Sequence, residues 1–188
     1  FSTRERISMA CSQLESTEWE EDAETDTFSK LVGAASNPKL CAAHRLFAAH
    51  QLLQRILLTE TWPFSAEELP TLVASMLDLA IEAERLPQVA VKLLWCIATT
   101  KEGASVLEVS DAVPVIFGIL RGTEDVLLAA PALQFLDQMG QTTPKVLADQ
   151  LCKANAPQLL LRCLCRWSDC FEIVSSLLSL FTFALSIS

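Results

Sequence analysis

Three stretches of this chain repeat one another in outline at a spacing of 44 residues: Glu68-Leu69-Pro70-Thr71-Leu72-Val73, Ala112-Val113-Pro114-Val115-Ile116-Phe117 and Ala156-Pro157-Gln158-Leu159-Leu160-Leu161. The register extends beyond them, since Pro70 and Pro114, Pro87 and Pro131, Lys101 and Lys145, Leu107 and Leu151, and Leu120 and Leu164 all stand 44 apart. A fixed period of this length belongs to stacked helical units, each unable to bury its apolar face alone, and argues against one closed globule. Proline is expected where helices stop. A stack presents an extended surface rather than a deep pocket, so the class of function it points to is binding.

Composition agrees. Hydrophobic residues make up 51% of the 188, glycine is scarce at 5, and with no tyrosine and 7% aromatics the chain lacks the strand formers of a β-sandwich. A chain of this length buries about 70% of its unfolded surface and needs no staples. The odd count of seven cysteines, with Cys41, Cys96, Cys163 and Cys165 inside apolar runs, therefore reads as reduced, core-packed thiols of an intracellular protein. A net charge of −9 disfavours nucleic acid as a direct ligand, because phosphate binding requires a concentrated basic surface. Much of the excess lies in Glu15, Glu18, Glu20, Glu21, Asp22, Glu24 and Asp26, which read as a solvated linker, with an acidic docking tail for a basic partner as the alternative.

Read in order, Thr3 to Leu14 forms an amphipathic helix with Ile7, Ala10, Cys11 and Leu14 on one stripe. Phe28, Leu31 and Val32 start a second helical face that ends near Pro38, and a long helix follows from about Leu40 to Leu58. Ser65 to Glu68 has the pattern of a capping box. Pro87 opens a largely buried helix to about Thr99. Further helices are expected over Lys101 to Val109, Asp111 to Arg121, Thr123 or Glu124 to Gly140, Pro144 to Ala154, and Asn155 to Arg166. Thr123 and Ser168 serve as caps and Gly122 and Gly140 as stops. The last segment, Cys170 to Ser188, is apolar but carries Glu172 and five serines, which suits a final helix covered by a further repeat better than a membrane span.

Catalytic and metal constellations are thin. His44 and His50 lie six apart and do not share a helix face, and no phosphate loop, nucleophile elbow or His-Glu-x-x-His pattern is present. Cys152, Cys163, Cys165 and Cys170 do not have zinc-knuckle spacing, and Cys163 and Cys165 point about 200° apart on a helix. No cofactor, metal or enzymatic activity is expected.

The stretches Ser110 to Leu120 and Lys153 to Leu161, followed by Ala132-Leu133-Gln134-Phe135-Leu136-Asp137-Gln138-Met139, resemble armadillo repeats, with HEAT repeats the related alternative. The resemblance covers about residues 28 to 188. It implies an all-α, right-handed α-solenoid of about 3.5 to 4 armadillo/HEAT-like repeats, preceded over 1–27 by an N-terminal helix and acidic linker, and forming part of a longer solenoid.

Members of the family hold extended peptides along a groove of third helices, using a recurring Asn. The matching positions here are Arg55, Cys96, Gln138 and Thr182, so the Asn-dependent mode of peptide binding is not implied. The same alignment nominates Gln51, Gln54 and Arg55, then Lys92, Trp95 and Cys96, then Gln134, Asp137 and Gln138 as facing the groove. The function implied is a protein–protein interaction scaffold or adaptor that takes a peptide or helix of a partner. The alternative is a purely architectural segment with no ligand. Neither nucleic acid nor membrane is an expected partner, and weak self-association through the exposed C-terminal helix is expected.

Overall fold

The computed structural model describes residues 24–59, 64–83, 86–153 and 156–186; the expected helix from Thr3 to Leu14, most of the acidic run, Trp62-Pro63 and Asn155 lie outside them. Among the described residues the chain is all-helical, with no strand. The helices are α1 (Glu24–Ser36), α2 (Ala42–Thr59), α3 (Leu69–Glu82), α4 (Pro87–Ala98), α5 (Lys101–Glu108), α6 (Ala112–Gly122), α7 (Val126–Thr142), α8 (Pro144–Lys153), α9 (Ala156–Arg166) and α10 (Phe171–Ser186). Helix α1 starts inside the acidic stretch, ahead of the boundary expected at 27, since neither glycine nor proline interrupts residues 24–32. No single described helix is long and apolar enough to cross a membrane.

Pro38 follows the end of α1 as expected, but five other prolines open helices rather than stop them. Pro87 and Pro144 are the first residues of α4 and α8, Pro70 and Pro157 the second of α3 and α9, and Pro114 the third of α6. First-turn N–H groups have no intrahelical acceptor, so proline removes nothing there. Pro131 differs, lying buried inside α7, where its ring deletes the bond to the Leu127 carbonyl. Leu86, ahead of Pro87, adopts the left-handed region at φ 57° and ψ 33°. Proline disfavours the right-handed helical conformation in the residue before it.

Caps follow the sequence in part. The capping box forms, with the Glu68 N–H donating to Ser65 Oγ at 3.3 Å and the Ser65 N–H to Glu68 Oε2 at 3.1 Å, but regular helix starts only at Leu69. Helix α7 begins later than expected and is capped by Asp125, whose Oδ1 accepts the Leu127 N–H at 2.9 Å. Thr123 Oγ1 accepts the Asp125 N–H instead, at 3.0 Å. Ser168 does not cap α10, which begins at Phe171 after a turn. Gly140 does not stop α7 either; the helix runs on to Thr142, and Leu147 of α8 sits 3.2 Å from where a Cβ on Gly140 would stand.

Packing joins the helices in two series. Helices α2, α4, α7 and α10 contact one another in succession, and α1, α3, α6 and α9 do the same. The two series are tied by α1 on α2, α3 on α4, α6 on α7 and α9 on α10. Short α5 touches α3, α4 and α7, and short α8 touches α6, α7 and α9. One continuous core results, from Leu52 through Leu72, Leu94, Phe117 and Phe135 to Leu160 and Leu177.

A buried polar cluster stands in this core. Arg45, 9% exposed, donates from Nη2 to the Ser75 carbonyl at 3.2 Å and Ser75 Oγ at 2.7 Å, and from Nε to the Ala35 carbonyl at 3.5 Å. Ser75 Oγ in turn donates to the same Ala35 carbonyl. Helices α1, α2 and α3 are thereby pinned through directed bonds, and no carboxylate pairs with Arg45 among the described residues.

Candidate functional site

The nominated residues lie on α2, α4 and α7, three successive helices of one series, because each helix shows polar side chains where its neighbours would accept leucine. Gln54 and Lys92 are exposed, whereas Gln51, Arg55, Trp95, Gln134, Asp137 and Gln138 are half-buried. The side-chain amides of Gln51, Gln54, Gln134 and Gln138 and the Lys92 ammonium make no hydrogen bond to another described residue. Each glutamine therefore offers both an acceptor and a donor.

Three nominated positions have other commitments. The Arg55 guanidinium lies over the Phe28 ring of α1, 5.6 Å from its centroid, so it turns toward the companion series. Asp137 accepts a hydrogen bond from Ser179 Oγ, which ties α7 to α10. Trp95 packs one side against the core. Cys96 is interior rather than groove-facing, at 6% exposure, and burial pushes its thiol up to about 11 against a smaller downward pull from Lys92.

Sequence reasoning missed His50. Its ring is half-buried on α2, close enough for Lys92 of α4 to act on it, with Nε2 buried and without a hydrogen-bond partner among the described residues. Burial first, and then the Lys92 charge, hold its pKa below the ordinary 6.5. Spacing relative to His44 hid this, because the relevant neighbour comes from the next unit.

A base with a lowered folded pKa contributes stability that is intact above its unfolded value and is lost as pH falls from there through the folded value. The melting temperature should therefore decline as pH drops below about 6.5, with a shallower decline in His50→Gln. An identical decline in both proteins would assign the effect to other groups.

The cysteines divide differently from the expectation. Cys96 and Cys163 are buried, but Cys41 and Cys165 are exposed. Cys41 Sγ lies 2.9 Å from His44 Nδ1, and bonding from the His44 backbone N–H, then from its ring, lowers the thiol pKa. Cys163 is raised by burial, with Arg166 opposing. Among the described residues no three His, Cys, Asp or Glu side chains gather as a metal-binding group.

What these side chains can do chemically is hydrogen-bond and bury, since apart from Arg55 and Asp137 they are amides, one ammonium and one indole. Comparison with family models, with curated proteins and with solved structures gives no match.

Proposed function

We propose that this chain is a non-enzymatic, intracellular interaction scaffold or adaptor, a right-handed α-solenoid of about 3.5 to 4 armadillo/HEAT-like repeats that holds a peptide or helix of a partner protein on the face of α2, α4 and α7. The successive contacts within each helix series support the solenoid reading. The observation that carries the function is the set of amides on these helices, of which Gln51, Gln134 and Gln138 are partly desolvated, all without bonds to other described residues. Partial burial raises the cost of leaving such groups unpaired, and an incoming peptide backbone presents the matching donors and acceptors. Trp95 between them supplies the rigid aromatic area typical of interface hot spots.

Two glutamine substitutions test it without disturbing the core, and a third, Trp95→Ala, is read alongside its own melting temperature because the indole packs partly on the core. Gln54→Ala with Gln138→Ala should leave melting within about 0.5 kcal/mol of the parent, and adding Trp95→Ala should cost a partner about 2 kcal/mol, or roughly thirtyfold in affinity. Affinity purification from cell extract with parent and variants reads the outcome. A protein enriched by the parent and lost from the variants supports the reading. Equal recovery would move the site elsewhere, and no enrichment would favour an architectural segment with no ligand of its own.

A further inference from the structure

A second site lies on the other helix series, between α6 and α9, where a cavity of about 50 Å³ has three arginines around an apolar floor. Leu120, Cys163 and Trp167 form that floor and are buried, whereas Arg121, Arg162 and Arg166 are exposed at its rim. Arg166 is held in place, with Nη1 donating to the Thr123 carbonyl at 2.6 Å and the guanidinium 5.5 Å from the Trp167 ring centroid.

Neutralising the C-terminal ends of α6 and α9 accounts for Arg121 and Arg166, each in a last turn. It does not account for Arg162. That residue stands one turn before Arg166 on the same helix, an i,i+4 pair of like charges that costs helix stability, and it makes no hydrogen bond or ion pair with another described residue. Three of the protein's 14 basic residues line this one cavity, with Glu124, Asp125 and Asp169 flanking it in sequence, and among the described residues no carboxylate lines the cavity itself, which suits it to an anion.

We infer that this cavity binds a phosphate monoester, carried by a phosphorylated serine or threonine of a partner protein. Arginine presents a planar fork of donors suited to phosphate oxygens. The fork of Arg162, with the charges of Arg121 and Arg166 beside it, exceeds the needs of a carboxylate, which bears one charge, and suits a phosphoryl group with close to two charges and three terminal oxygens. The small cavity admits the anion and leaves its carrier outside. An anionic membrane would meet the whole negative field of the protein, while a short peptide meets mainly the local arginines within a Debye length of about 8 Å.

The test uses the full chain and a glycine-flanked phosphoserine peptide, its unphosphorylated twin, inorganic phosphate, and vesicles containing a phosphoinositide. Binding is read from the Trp167 indole and arginine Nε–H signals by NMR, and for vesicles by co-sedimentation. The expected result is saturable displacement of both signals by the phosphopeptide alone of the two peptides. Affinity should fall about tenfold, or 1.4 kcal/mol, in Arg162→Gln, and Arg162→Lys should recover only part of it. Because Arg162 is exposed, a melting temperature no lower than the parent's in either variant confirms that folding is not at issue. Equal response to the two peptides, no response at millimolar peptide, inorganic phosphate binding as tightly as the phosphopeptide, or Arg162-dependent binding to vesicles without a peptide response would each overturn the proposal.

Discussion

Replacing Gly103 with alanine should destabilise the protein by about 3 kcal/mol, at the upper end of overpacking effects, and lower its melting temperature by roughly 6–12 °C for a chain of this size. Gly103 lies in the first turn of α5, where the chain reverses out of α4, and its N–H donates to Thr100 Oγ1 at 3.1 Å. A Cβ there would stand 2.1 Å from the Ile97 carbonyl oxygen, 2.7 Å from Ile97 Cγ2 and 2.8 Å from Thr100 Oγ1. The nearest obstacle is backbone, in a carbonyl that already accepts the Thr100 N–H at 3.2 Å, so no side-chain rotation relieves it. Elsewhere the same substitution reverses sign. Gly33 and Gly118 have nothing within 4 Å of a new Cβ, and alanine there should stabilise by up to about 1 kcal/mol through helix propensity. Thermal melts of the three variants decide the matter, and a Gly103→Ala protein as stable as the parent would refute the close approach of α4 to α5.

Phe135→Ala should cost about 3–5 kcal/mol, among the largest effects of any single truncation in the core. Phe135 is fully buried on α7, which packs against both α4 and α10, so the vacated space lies within the continuous core. Rigid helices collapse poorly into such a void, and the lost contacts are not remade. Urea denaturation should show a lower midpoint with an unchanged slope. A loss below about 1 kcal/mol would mean that the site is looser than its burial indicates.

Among the described residues helix order was legible because apolar stripes and proline positions recur with the period, and most helix bounds there fall within a few residues of the expectation. The misses have local causes. Thr123 and Asp125 both carry acceptors suited to a cap, and Asp125 takes the Leu127 N–H while Thr123 bonds to Asp125 itself. Cys165 lies in an apolar run, yet two residues after buried Cys163 it points to the opposite side of α9. Gly140 resembles a stop, but its missing side chain admits α8. At the candidate face, polar residues on apolar helices marked positions, while the inward turn of Cys96 and the stacking of Arg55 on Phe28 depend on neighbouring helices. The arginine cavity was less visible still, since net charge averages over the chain and Arg121 meets Arg162 and Arg166 only through tertiary contact.

The buried guanidinium of Arg45 bears on which alternative structures the chain avoids. Apolar surfaces tolerate sliding, for one leucine against another costs much the same a turn away. A cation with directed donors does not. Moving α1 along α2 by one turn, about 5.4 Å, would carry the Ala35 carbonyl out of reach and strand part of the charge in surroundings that cannot solvate it. The first three helices therefore have one alignment that satisfies Arg45, and mispaired or exchanged versions of α1 are penalised electrostatically even where their hydrophobic contacts would be equivalent.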